Sequence, residues 1–178
     1  MTLSNAIDAD RNGEFEKAAA LYEELLALGD TSPEVLLNLA CLYWNATDPG
    51  VAAGMGFREF FSLAARRFPQ LLKEVSRLYP ARTDVQFWGK YIEWANYGSE
   101  VDAAAYRQML LNDPSTLLPA MVLYVDSGGV EAQDDAKILL EQSRRDGTTR
   151  ARYVVSVLDS AMQRANHGKS ASDTQSVE

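Results

Sequence analysis

The chain has 178 residues, of which 47% are hydrophobic and 24% charged, and this ordinary globular composition excludes disorder throughout the chain. Its net charge is −8, and residues 1–50 carry two basic and nine acidic side chains, so a nucleic-acid partner is not expected. Because Cys41 is the only cysteine and His167 the only histidine, a disulfide framework is excluded, and a metal site built on Cys and His is nearly excluded.

Apolar residues recur at helical spacing along most of the chain, and this pattern predicts nine or ten helices. The apolar stripes lie, in chain order, at 15–26, 36–43, 57–68, 88–95, 103–110, 136–143 and 154–161. Between them stand capping, turn-forming and helix-breaking residues, namely Asn12 and Gly13, Ser32 and Pro33, Pro49, Pro69, Pro80 and Pro114. We expect the prolines to mark helix ends, and the short intervals to join antiparallel neighbouring helices.

Two segments fit a strand as well as a helix, because residues 120–125 and 153–158 are dense in β-branched and aromatic types. In both, however, apolar residues recur at offsets 0, 3, 4 and 7, counted from Leu118 and from Val154. That spacing is helical. The predicted fold class is therefore all-α.

The length favours a single helical domain over residues 1–166. Residues 167–178 have almost no apolar content, which is typical of a flexible polar tail. The first residues lack the basic and apolar segments of a secretory signal, and the apolar run 117–125 is too short to cross a bilayer. With a lone cysteine, these features predict a cytoplasmic protein without a membrane partner.

The segment 13–43 repeats small and large residues at regular positions, namely Gly13, Phe15, Ala18, Tyr22, Leu28, Asn38, Leu39, Ala40 and Tyr43. Thr47 follows Gly13 by 34 residues, and bulky rings recur at Tyr22, Phe61 and Tyr106. We expect each ring to pack the second helix of a pair against the first. The segment resembles a tetratricopeptide repeat (TPR) followed by the first helix of another. The resemblance implies a right-handed α-solenoid of antiparallel helix pairs.

The TPR resemblance also implies a non-enzymatic protein–protein interaction module, an adaptor or a secretion-type chaperone, that holds a peptide or partner helix in a concave groove. Seven residues of the helices predicted over 34–47 and 84–97 form the candidate groove, namely Leu37, Asn38, Cys41, Trp44, Asn45, Lys90 and Trp94. The Asn38 amide can donate to and accept from a peptide backbone, or bond a neighbouring helix instead. Both helices are apolar on two faces, so each is either sandwiched between neighbours or presents one face to a partner.

Reactive groups that could converge into an active site are scarce, and we expect no enzymatic activity, cofactor or metal. Cys41 has no histidine partner, Asp134 and Asp135 suit the first turn of a helix, and residues 126–129 suit a helix end better than a phosphate loop.

Two alternatives remain open at this point. The acidic first third could mask a basic partner protein, as an antitoxin or immunity-type inhibitor does. The terminal helices could also pair two copies of the chain as a homodimer.

Overall fold

The computed structural model describes residues 2–48, 58–98 and 100–173, with side chains at 2–48, 59–98 and 100–165. Over these residues the all-α prediction is confirmed, because the structure contains nine helices and no strand. The helices are α1 (Leu3–Arg11), α2 (Phe15–Ala27), α3 (Pro33–Ala46), α4 (Arg58–Leu78), α5 (Thr83–Tyr97), α6 (Ala103–Asn112), α7 (Leu118–Asp126), α8 (Gln133–Asp146) and α9 (Thr149–Asp173).

Most helix ends lie where the turn and capping residues predict them. Helix α1 ends before Gly13, whose φ of +75° suits glycine. Ser32 occupies the N-cap position of α3 without a side-chain capping bond, and Pro33 is the first residue of the helix. Pro69 is different, because it lies inside α4, and the prediction that it marks a helix end is wrong. Burial of Leu71 and Val75 just beyond it offsets the backbone hydrogen bond that proline removes.

Both segments that fitted a strand are helical, in α7 and in α9. Residues 119–124 of α7 are all buried, so an apolar residue suits every position and β-branched types are tolerated there. None of the helices in the described part of the chain is both long enough and apolar enough to cross a membrane.

The chain folds into two compact units. The first comprises Met1–Gly89 and Asp146–Ala151, and the second comprises Lys90–Arg145 and Arg152–Glu178. That residues 1–166 behave as one domain stays a prediction. In the segment predicted as a flexible tail, the backbone of 167–173 belongs to α9, and 174–178 lie outside the described residues.

In the first unit, α1 packs against α2, α2 against α3, and α3 against α4. Tyr22 of α2 is fully buried, as expected of a repeat anchor. Phe61 is 39% exposed, and the prediction that it packs like Tyr22 is wrong. The residue before it, Phe60, faces the core instead, with its ring centroid 5.7 Å from that of Tyr43. Consecutive residues of a helix point about 100° apart, so both rings cannot face one neighbour.

Glu23 joins three helices of the same unit through its carboxylate. Arg67 of α4 donates to both of its oxygens, at 2.8 and 2.7 Å. The hydroxyl of Tyr43, on α3, donates to it at 3.2 Å. A bidentate, partly buried pair of this kind holds the facing helices in register more firmly than a single exposed ion pair.

In the second unit, α6 packs against α7, the helix that follows it. Tyr106 is buried as expected, and its packing against the preceding helix stays a prediction. Arg107 of α6 forms a two-pronged ion pair with Glu131, at 2.5 and 2.8 Å. The turn after α7 ends that helix through backbone donors at Ser127 and Gly129. The prediction that residues 126–129 terminate a helix is therefore confirmed.

Candidate functional site

The five groove residues predicted on α3 lie in the first unit and differ in how much surface they expose. Leu37, Asn38 and Cys41 are buried, whereas Trp44 and Asn45 are half-buried. The Trp44 ring packs edge-on against Trp88, with 6.5 Å between the ring centroids. Helix α3 is thus sandwiched between neighbours along most of its length. Partner binding at these positions stays a prediction, for which Trp44 and Asn45 offer surface.

Asn38 is buried on α3. Burial and the charge of Asp10 raise the pKa of Tyr22 on α2, and the side-chain amide of Asn38 on α3 lowers it in part. The Asn38 Oδ1 atom accepts no hydrogen bond within the part of the chain that the structure describes. The Tyr22 hydroxyl likewise has no hydrogen-bond partner among the described residues, so the two roles predicted for Asn38 both stay open.

The chemistry of Cys41 follows from its burial, which raises the pKa of its thiol to about 12. The thiol is therefore protonated near neutral pH, and the thiolate is the nucleophilic form. Among the residues described, no three or more His, Cys, Asp or Glu side chains are grouped to hold a metal ion. The His167 side chain lies outside the described residues.

The two groove residues predicted on α5 lie in the second unit, and one of them reaches a cavity. Lys90 is exposed, while Trp94 is half-buried and lines an apolar cavity of about 90 Å³ that is open to solvent. The other lining side chains come from α5, α7, α9 and the loop before α6, and they are Tyr91, Val101, Met121, Val122, Val125, Asp126 and Val157. Among the seven predicted groove residues, Trp94 is thus the one that lines an open apolar cavity.

The aromatic wall of the cavity is held in place by ring contacts. Tyr91 and Trp94 are three residues apart on α5, and their ring centroids are 5.4 Å apart. The Tyr91 hydroxyl lies 3.0 Å from the hydroxyl of Tyr153 on α9, and the two rings meet nearly at right angles, at 72°. Burial and this hydroxyl pair raise the pKa of Tyr91. Its polar end is engaged, so the cavity faces the apolar part of the ring.

The aliphatic wall comes mainly from one turn of α7, where Met121, Val122 and Val125 lie on adjacent positions of the same side. Val157 of α9 and Val101, in the loop between α5 and α6, complete it. None of these side chains carries a strong hydrogen-bonding group, since the Met121 thioether is only a weak acceptor. A group that enters the cavity is therefore apolar itself, because a buried polar group without a partner is unfavourable.

Asp126 supplies the charged group of the site. It is exposed and is the last residue of α7, so its carboxylate lies at the mouth rather than in the interior. The cation close to Asp126 is Arg107. The hydrogen bond to Glu131 raises the pKa of Arg107, and the charge of Asp126 raises it to a smaller extent. Arg107 is already bonded to both oxygens of Glu131, which leaves the Asp126 carboxylate to face solvent.

Sequence reasoning found Trp94 and missed the rest of this cavity. Val122 and Val125 carry the helical spacing of core residues, and nothing in a single sequence separates a filled core position from the wall of a cavity. Val101 lies in a loop, outside any periodic pattern. Asp126, the charged residue that ends the otherwise apolar run 118–126, was the one sequence signal that this end of the helix is exposed at the mouth of the cavity.

No protein-family model matches this chain, and no curated protein or solved structure matches it either. The functional interpretation therefore depends on the residues of the site.

Proposed function

We propose that the chain is a non-enzymatic protein–protein interaction module, an adaptor or chaperone, that takes an apolar side chain of a peptide or partner helix into the cavity at Trp94. The observation that carries this proposal is an apolar cavity open at the surface, with Trp94 half-exposed at its edge. Aromatic residues beside desolvated pockets dominate the binding free energy of many protein interfaces.

The size of the cavity supports a side chain rather than a free metabolite or cofactor. Pockets for drug-sized ligands typically hold about 300–1,000 Å³, whereas this one has about 90 Å³. The volume of a single aliphatic side chain is close to that of this cavity. Further affinity would then come from the surface around the mouth. Lys90, exposed on α5 and outside the cavity lining, stays a predicted partner-binding residue.

A second part of the proposal concerns the arrangement of the helices as a right-handed, TPR-like solenoid. Apart from the interval between α3 and α4, consecutive helices are joined by two to six residues. Several sequence neighbours also pack on each other, namely α1 on α2, α2 on α3, α3 on α4 and α6 on α7. Contacts between neighbours along the chain are typical of solenoids.

Site-specific photocross-linking in an extract of the source cell tests the binding function. A benzophenone amino acid replaces Tyr97, which is 81% exposed and lies three residues after Trp94 on α5. The matched control carries it at Leu28, which is 72% exposed in the first unit. We expect a defined protein to cross-link from position 97 and to be lost when Val101→Phe fills the cavity.

Circular dichroism checks that the Val101→Phe variant is folded, and Val125→Met serves as a second filled variant. A cross-linking pattern that is the same at positions 97 and 28, or that persists in both filled variants, would show that the cavity does not bind the partner. In that case the proposed function is wrong.

A further inference from the structure

We infer that the cavity selects a branched or linear aliphatic group, no larger than the side chain of Leu, Ile or Met, that carries or adjoins a positive charge. The inference rests on the proposed function and adds the chemistry of the bound residue. Its size limit comes from the volume of the cavity, and its charge preference comes from Asp126.

The volume disfavours full insertion of an aromatic ring. An apolar cavity of about 150 Å³ in another protein accommodates benzene, and the cavity at Trp94 has about 90 Å³. Protein interiors are close-packed, so a ring could enter only if the lining side chains moved apart. Val122 is buried, so moving it apart would disturb its close packing. A four- or five-carbon aliphatic group needs no such change.

The electrostatic surroundings favour a cation at the mouth. Asp126 is exposed at the carboxyl end of α7, where the helix dipole adds partial negative charge. Val101, also on the lining, stands in sequence between the exposed carboxylates Glu100 and Asp102. A positive group tethered to the inserted aliphatic chain therefore gains attraction, and a negative one is repelled.

Nearby cations do not cancel this field. Arg107 is bonded to both oxygens of Glu131, and the pair is neutral as a whole. Lys90 is exposed on α5 and is not part of the cavity lining. Asp126 thus remains the charged group on the lining itself, among the described residues.

A titration followed by NMR tests the inference with three small probes of similar shape: 3-methylbutylamine, 3-methyl-1-butanol and 4-methylpentanoate. The shifts of the Trp94 indole and the Val122 methyl groups report binding at low salt, where exposed charges are least screened. We expect the amine to bind about threefold more tightly than the alcohol, the range of an exposed ion pair, and the carboxylate to bind most weakly. Phenethylamine should bind more weakly than 3-methylbutylamine.

Substitutions then assign the preference to one residue. Asp126→Asn should make the amine and the alcohol bind equally, and Asp126→Lys should reverse the order of amine and carboxylate. Asp134→Asn removes another exposed carboxylate of the second unit, at a position outside the lining, and should leave the preference unchanged.

Each contrary result disproves one part of the inference, either the charge preference or the size limit. Equal binding of amine and alcohol to the unmodified protein, or a preference that survives Asp126→Asn, disproves the charge selection. Tighter binding of phenethylamine disproves the size limit, and no shift at Trp94 with any probe disproves both. These results leave the photocross-link at position 97 to decide the proposed function separately.

Discussion

The carboxylate of Asp10 accepts two hydrogen bonds from Thr149, one from the backbone nitrogen at 2.9 Å and one from the hydroxyl at 2.5 Å. Both residues are buried in the first unit, although 139 positions separate them in the chain. Thr149 is the first residue of α9, where backbone N–H groups lack partners within the helix. Asp10 satisfies one of them, and its negative charge suits the helix N-terminus.

Removing this contact should destabilise the protein. Asp10→Ala leaves two buried donors of Thr149 without their acceptor, and we expect the free energy of unfolding to fall by about 2–4 kcal/mol. Urea denaturation followed by circular dichroism measures the change. Asp8→Ala, at an exposed position of the same helix, should cost less than about 0.5 kcal/mol. Similar losses for both variants would contradict the role given to Asp10.

The ring of Tyr22 should stabilise the first unit by packing. Because Tyr22 is fully buried between helices, Tyr22→Ala should lower the free energy of unfolding by about 3–5 kcal/mol. Phe61→Ala removes a ring that is 39% exposed and should cost clearly less in the same urea titration. A loss at Tyr22 below about 1 kcal/mol would mean that the ring is not part of the core.

The two glycines that follow α7 should differ in their tolerance of a side chain. Both have positive φ, +66° at Gly128 and +93° at Gly129, so either alanine substitution carries a backbone penalty of about 1–2 kcal/mol. A Cβ at Gly129 would also lie 3.0 Å from the Ala165 Cβ and 3.1 Å from the Tyr124 hydroxyl, whereas one at Gly128 meets nothing within 4 Å.

We therefore expect Gly129→Ala to lower the melting temperature by more than Gly128→Ala. Differential scanning calorimetry of the two variants measures this difference, to which the contact with Tyr124 and the larger φ at Gly129 both contribute. Equal melting temperatures would show that the turn can move away from Tyr124.

Stability should decline at high pH through the buried tyrosines. Burial raises the pKa of Tyr106 from its ordinary value of 10.0 to about 12, with a smaller contribution from the Asp102 charge. Above pH 10 the unfolded chain releases this proton while the folded chain keeps it, so the free energy of unfolding falls until about pH 12. Below pH 10 the contribution is fully present.

Urea denaturation at a series of alkaline pH values tests this prediction. Tyr106→Phe removes the titrating hydroxyl and should make the decline shallower, since the other buried tyrosines remain. An identical pH profile in the variant would assign the decline to other groups.

Trp94 and Trp44 provide matched tests of the two candidate surfaces. Trp94→Ala removes the edge of the cavity and should weaken binding of the cross-linked partner at least tenfold, as loss of an aromatic anchor does. Calorimetric titration measures this affinity, and circular dichroism confirms that helicity is retained. A larger effect from Trp44→Ala would instead place the partner on α3, the groove first predicted from the sequence.

The sequence by itself determined the helical class, the positions of most helix ends and the burial of Tyr22 and Tyr106. Each of these depends on residues close together in the chain. Leu118 and Val154 begin apolar patterns with helical spacing. Both segments are helical in the structure, although their residue types also suit strands. Likewise, Ser32 and Pro33 determine a helix start through their own backbone geometry.

Tertiary structure alone decided which apolar residues fill a core and which line a cavity. Val101, Val122 and Val157 come from a loop and two helices, and no local pattern predicts that they meet without filling the space between them. Packing also explains why the helix continues through Pro69, although proline locally favours a helix end. Burial along α4 outweighs the lost hydrogen bond. The bond from Asp10 to Thr149 has the same origin: its donor and acceptor are adjacent only after the chain has folded.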